Sequence, residues 1–229
     1  MPIRNWRNGT PMARSCWCPD AGASAINTSS KPNYCIYLAR HKLQNMTKPI
    51  RRCHWPGTDE LYTKYHDEEW GKETHDEKKL FEFLILESAQ AGLSWITILR
   101  RRNNYKKAFA NFNVKKVAAF DESDYNRLLK DEGIIRNRLK IRAAISTAQL
   151  FLGIQKEFGS FSNYLYSFMP DGKPIVNHHT KILATSPISD AISKDMKKRG
   201  FKFFGSTICY AYMQAIGMVN DHIPGCSFK

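Results

Sequence analysis

Residues 76–92 read DEKKLFEFLILESAQAG, and the spacing of their apolar side chains decides the fold class. Asp76 offers an oxygen to the unpaired N–H groups of a first helical turn, and Glu77 adds negative charge beside it. Gly92 suits the reversal that follows a last turn. Between these stops the apolar residues recur at helical rather than alternating spacing. Glu87 stands seven residues after Leu80 and three after Leu84, on the face that such a helix buries. A buried carboxylate is costly unless it meets a partner. The stretch that announces a helix therefore announces a candidate site as well.

The text that follows keeps the helical period. Ser94 stands where an N-cap is wanted for SWITILRRRNNYKKAFANF (94–112), whose Trp95, Ile98, Leu99, Tyr105, Phe109 and Phe112 form an apolar stripe. VKKVAAF (114–120), ESDYNRLLKDEG (122–133) and RLKIRAAISTAQLFLGIQKEFG (138–159) come next, with Gly133 and Gly159 as stops. SNYLYSF (162–168), ISDAISKDMKKRG (188–200) and STICYAYMQAIGMV (206–219) complete the series. FKFF (201–204) is the best period-two run and is too short to define a sheet. The expected class is all-α.

A chain of 229 residues suits one domain or two lobes sharing an interface. Its 42% apolar content supports a substantial core, and no run of eighteen apolar residues offers a membrane span. The 35 basic side chains against 21 acidic ones give +14, which favours a polyanionic partner, most simply nucleic acid. Residues 1–45 differ from the rest: they are rich in Ser, Asn, Pro, Ala and Gly, with one acid against six bases and no helical period. They read as a disordered extension or a mis-assigned start, because Met46 opens MTKPIRRCHW like a natural beginning of a 46–229 domain. Without them 29 basic residues still face 20 acidic ones. The six cysteines follow no secretory signal, so their thiols are expected to be free, buried or metal-bound. Cys16 and Cys18 form a C-x-C with no partner pair nearby and read as incidental.

Two constellations carry chemistry. Cys53 and His66 near the start of the domain, with His222 and Cys226 in the tail, offer two thiolates and two imidazoles, a set that suits tetrahedral Zn²⁺. His54, His75 and the His178–His179 pair are rival ligands. Trp55, Tyr62, Tyr65, Trp70 and Trp95 fall, together with Glu87, in the stretch from Cys53 to Trp95. Any one of them alone fills a core, but a carboxylate among aromatic faces suits a flat, cationic, hydrogen-bonding ligand. Finally, LLKDEGIIRNRLKIRAA (128–144) reads as a helix, a glycine-led turn and a basic helix. Free N–H groups at the turn, with Arg136, Arg138, Lys140 and Arg142, would grip a phosphate.

CHW (53–55), YTKYHDEEWG (62–71), LFEFLILESAQAGLSWITILRRR (80–102), GIIRNRLKI (133–141) and KKRGFKFFGSTICYAYMQAIGMVNDHIPGC (197–226) together closely resemble the DNA-3-methyladenine glycosylase I family, from Arg52 to Cys226. The resemblance implies the helix-hairpin-helix glycosylase fold and one structural zinc held by Cys53, His66, His222 and Cys226, which sets aside His54 and the His178–His179 pair. It implies that Glu87 hydrogen-bonds the edge of an extruded base and acts on it with Tyr65, that Tyr62 and Tyr65 line the pocket, that Trp95 stacks, and that Trp55 is a pocket-side aromatic. GIIRNRLKI becomes the DNA-gripping hairpin, with Gly133, Ile134, Arg136, Arg138 and Lys140 as its contacts. Ile135 occupies a position often glycine in other hairpin glycosylases, and the family lacks their usual catalytic Asp after the hairpin. The activity implied is monofunctional release of 3-methyladenine from alkylated double-stranded DNA, by a monomer in the cytoplasm with the nucleoid. The competing expectation is a zinc-stapled module that binds damaged DNA without cutting it. Charge, hairpin and zinc suit both; Glu87 inside the aromatic cluster favours the enzyme.

Overall fold

The computed structural model describes residues 49–229; the expectations for residues 1–45, with Cys16 and Cys18, lie outside them. The helices are α1 (Glu60–Glu68), α2 (Glu77–Gln90), α3 (Trp95–Ala108), α4 (Val114–Ala118), α5 (Glu122–Lys130), α6 (Arg138–Phe158), α7 (Phe161–Tyr166), α8 (Pro187–Lys198) and α9 (Ser206–Ala215). Most begin on a side-chain cap that the sequence supplies. Asp59 accepts the N–H of Tyr62, Asp76 that of Lys79, and Asn137 those of Leu139 and Lys140. Ser94 precedes α3 as expected, but its hydroxyl bonds the Thr97 hydroxyl at 2.7 Å instead of a backbone N–H.

Helix α2 is the centre of the fold, packed by α3, α6, α7 and α9. Its apolar residues therefore surround it instead of forming one stripe: Leu80, Phe81, Leu84 and Leu86 are fully buried. The carboxylate of Glu77 in its first turn also caps a neighbour, accepting the N–H groups of Phe161 and Ser162 at 2.9 Å each.

Two local readings change. Helix α3 stops at Ala108, so Phe109, at its C-cap, and Phe112, in a 3₁₀ turn (Ala110–Phe112), reach the core from beyond the helix and not from its stripe. FKFF forms no strand, in keeping with its shortness: Phe203 has φ +56°, and Phe201 and Phe204 turn into the core on either side of it. The extended structure lies elsewhere, in a two-stranded parallel pair of β1 (Ile175–Val176) and β2 (Val219–Asn220), with Ile175 opposite Val219. The class is mostly helical, with this short ladder anchoring the tail.

Gly217 explains how the tail returns to α1. Its φ is +74°, and a Cβ there would lie 2.1 Å from the Lys72 carbonyl carbon. Only glycine allows so close an approach of two backbones. Gly71 N–H bonds the Gln214 carbonyl at 2.8 Å and Thr74 N–H that of Ile216 at 3.0 Å, fixing residues 71–74 against the end of α9.

Candidate active site and metal centre

The backbone return at Gly217 brings the two Cys/His pairs together. The ligand atoms of Cys53, His66, His222 and Cys226 all lie within 4.8 Å of one another, and all four residues are buried. Cys53 Sγ is 3.6 Å from His222 Nδ1, and Cys226 Sγ is 3.5 Å from His222 Nδ1 and 3.7 Å from His66 Nε2. A tetrahedron with zinc–sulfur bonds of about 2.3 Å and zinc–nitrogen bonds of about 2.05 Å has S···N edges of roughly 3.5 Å. The three S···N distances match those edges, so the donor set suits a small four-coordinate ion. The other ring nitrogens are already engaged: His66 Nδ1 with Asp67 Oδ1 at 2.8 Å, His222 Nε2 with the Trp70 carbonyl at 3.1 Å. Such outer bonds fix which nitrogen faces the centre. Burial pushes the Cys53 thiol up to about 11 and the His222 imidazole down to about 4, so a metal must displace the thiol proton to bind. His54, His75, His178 and His179 are exposed and outside the cluster.

Trp55 and Trp70 separate this cluster from a cavity. The His66 ring centroid is 5.2 Å from that of Trp55, and the His222 centroid 4.7 Å from that of Trp70. On the far side these two indoles join Tyr62 and Tyr65 of α1 and Trp95 at the start of α3 around a space of about 260 Å³. Trp55 meets Tyr62 edge-on at 4.8 Å, and Tyr65 meets Trp95 at 5.3 Å. Glu87 and Gln90 of α2, Ala211 and Gln214 of α9, and Ile182 from the loop before α8 close it. The volume accommodates one flat bicyclic ring between aromatic faces.

What distinguishes the cavity is its unpaired polar atoms. Glu87 Oε2, Gln90 Oε1, Trp55 Nε1 and Trp95 Nε1 are buried with no hydrogen-bond partner among the described residues. Glu87 is 2% exposed, and burial pushes its carboxyl up to about 8. Burial and the nearby Glu87 also raise the Tyr65 phenol well above its ordinary value, so it remains an O–H donor. Each unpaired buried group costs free energy that a guest with matching donors and acceptors would recover.

The α5–α6 connection forms a tight hairpin against α3. A Cβ on Gly133 would meet Asn104 Cβ at 2.9 Å, so the glycine is required by contact and not by an unusual φ. The Gly133 N–H bonds Asp131 Oδ1 at 2.8 Å, Ile134 N–H bonds the Asp131 carbonyl at 3.4 Å, and Ile135 N–H bonds the Tyr105 hydroxyl at 3.2 Å. The turn's N–H groups at 133–135 are thus occupied rather than free. Arg136 and Arg138 are exposed. Lys140 is turned inward: its ammonium donates to the Ala89 carbonyl at 2.9 Å and the Ala91 carbonyl at 2.5 Å, at the end of α2. Arg142 pairs with Glu122 at 2.8 Å.

Comparison with known proteins decides the lineage. Residues 55–229 match the model of a family described as methyladenine glycosylase. The chain belongs to the methyladenine glycosylase family. DNA-3-methyladenine glycosylase 1 of Escherichia coli (strain K12) is 49% identical over 180 residues, 77% of this chain and 96% of that protein. The crystal structure of a 3-methyladenine DNA glycosylase I is 49% identical, covers 77% of this chain and 98% of its own, and superposes with a TM-score of 0.74. A variant of such a glycosylase, solved in complex with 3-methyladenine, is 35% identical, covers 78% of this chain and 97% of its own, with a TM-score of 0.75.

Within this methyladenine glycosylase, the structure gathers Trp55, Tyr62, Tyr65, Glu87 and Trp95 around one cavity, and Cys53, His66, His222 and Cys226 beside it. The hairpin residues Gly133, Ile134, Arg136, Arg138 and Lys140 lie on a separate element. Sequence reading missed Gln90, Gln214 and Ile182. Gln90 follows Glu87 by three residues, so helical register alone could have found it. Gln214 is a polar residue inside ICYAYMQAIGMV, the signal that exposed Glu87. Ile182 carries no sequence mark.

Proposed function

We propose that this protein is a DNA-3-methyladenine glycosylase, a monofunctional N-glycosyl hydrolase of base-excision repair. One observation carries the reading: a buried carboxylate with no protein partner stands among aromatic rings in a base-sized cavity, with two indole N–H groups also unpaired. The names of the relatives, and the 3-methyladenine bound in one of their structures, support the same ligand.

The chemistry suits this equipment. A nucleotide methylated at N3 of adenine carries a positive charge on the base, and breaking the bond between C1′ and N9 returns the electron pair to the ring and neutralises it. Water adds to C1′ and loses a proton, leaving an abasic sugar and neutral 3-methyladenine. The leaving base needs no proton from the enzyme, so the protein's task is to extrude, hold and orient it. Trp95 and Tyr65 enclose the ring, Tyr62 and Trp55 close the pocket, and Glu87 accepts from the exocyclic amino group while its charge balances the cationic ring. Tyr65 donates its hydroxyl at the same edge. Recognition of a cation also favours ionisation of Glu87, whose proton burial otherwise retains.

The four-ligand cluster holds one structural Zn²⁺, closed to water by its protein ligands. The α5–α6 hairpin, whose turn Gly133 and Ile134 shape, is the helix-hairpin-helix of the glycosylase superfamily and grips double-stranded DNA through the exposed Arg136 and Arg138, with Lys140 positioned behind them. The protein acts as a monomer on chromosomal DNA in the cytoplasm. The working domain is 46–229, so a chain beginning at Met46 should excise as the full chain does. The test is chromatography of bases released from methylated duplex DNA. Free 3-methyladenine is the expected product; binding without release would establish the non-cutting module instead.

A further inference from the structure

Asp221, one residue before a cluster ligand, is 5% exposed and lies at the centre of three donors. Its carboxylate accepts from the Tyr210 hydroxyl at 2.8 Å, the Gln214 Nε2 amide at 2.7 Å and the Asn177 Nδ2 amide at 2.5 Å. These donors come from α9 and from the residue that follows β1. A side-chain amide is two-faced, with a donor nitrogen and an acceptor oxygen. A carboxylate already taking two other donors allows only the nitrogen of Gln214 to face it. The main chain of Gln214 is held as well, since its carbonyl takes the N–H groups of Gly71 at 2.8 Å and Gly217 at 3.3 Å. Gln214 lines the same cavity as Glu87, and its Oε1 has no bond among the described residues.

We propose that Gln214 is a specificity-determining acceptor for the base's exocyclic amino group and that Asp221 is the positioning residue that fixes its orientation. The inference rests on the glycosylase reading and goes further by naming how the 6-position is read. An exocyclic amino group has two N–H bonds. Glu87 takes one and the Gln214 carbonyl the other. A base with a 6-carbonyl would face two acceptors and no donor, an arrangement that costs more than a lost hydrogen bond. Asp221 also holds Asn177, which opens the loop carrying Ile182 to the cavity, so one carboxylate secures two sides of the pocket.

The experiment is calorimetric binding of free 3-methyladenine and of 3-methylhypoxanthine, which differs by a 6-carbonyl, to the full chain. Wild type should prefer 3-methyladenine by at least about tenfold. Gln214→Met keeps the length and removes the acceptor; it should lose about tenfold for 3-methyladenine and nothing for 3-methylhypoxanthine. Asp221→Ala should lose the same preference with Gln214 still present. If that variant does not fold, hydrogen exchange of the Gln214 side-chain amide in wild type decides the orientation: slow exchange supports contact with Asp221, and fast exchange overturns it. Equal weakening of both bases by Gln214→Met would assign the residue to packing and overturn the proposal. Failure of wild type to bind either base would instead remove the glycosylase reading beneath it.

Discussion

The metal cluster and the cavity share a wall but differ in how their polar atoms are satisfied. In the cluster, each imidazole nitrogen turned away from the centre already has a partner, Asp67 for His66 and the Trp70 carbonyl for His222. In the cavity, four polar atoms on Glu87, Gln90, Trp55 and Trp95 have none. A few ångströms of indole divide a set that a small ion completes from a set that only an organic guest completes. Burial alone therefore does not mark a functional group; burial without a partner does.

The comparison breaks first at the cluster. Chelating a metal held there, or replacing Cys226 with Ser, should lower Tm by about 10 °C or more, because an ion in the cluster would join the segment before α1 to the tail. Excision should fail with it, since Trp55 and Trp70 lean on the ligand rings. Metal analysis and differential scanning calorimetry check this; an unchanged Tm after complete metal removal would show that the cluster is not a staple.

Glu87→Gln sharpens the other side. Burial keeps Glu87 protonated up to about pH 8, whereas the ordinary value is 4.5. Between these values the unfolded chain binds fewer protons than the native one, so stability falls as pH rises. The variant escapes that fall. It should match wild type near pH 4 and exceed it by a few kcal/mol at pH 8.5, while excising more slowly at both. Denaturant unfolding at the two pH values reads the difference.

Lys140→Met should have a smaller effect. Two carbonyls at the end of the Glu87 helix lose a charged donor, costing about 1–2 kcal/mol of stability. Excision should fall several-fold with little change in affinity for undamaged duplex. A drop in that affinity and its salt dependence instead would make Lys140 a phosphate contact. Replacing both Arg136 and Arg138 with Ala should do what Lys140→Met does not: weaken binding to every duplex a few-fold and reduce the salt slope by about 2.

Much of this architecture is legible in the sequence because its causes are local. Asp76 and Gly159 mark helix ends through their own side chain and conformation, and Glu87 stands out against an apolar period. What is not legible depends on where distant elements meet. The hairpin's basic residues look equivalent in sequence, yet Lys140 bonds carbonyls some fifty residues away while Arg136 stays exposed. Phe203 breaks the alternation of FKFF with a positive φ that residue types do not announce. The orientation of Gln214 needs Asp221 and Asn177, brought beside it by a two-residue ladder too short to leave a pattern.

The central claim is that the unpaired Glu87 exists for the extruded base, and the most direct measurement is single-turnover excision of 3-methyladenine from methylated duplex by wild type and Glu87→Ala. The expected result is a loss of about a hundredfold or more in the variant, with the fold retained. Excision at the wild-type rate by folded Glu87→Ala would contradict the account, and the cavity would then have no chemical reason for its buried acid.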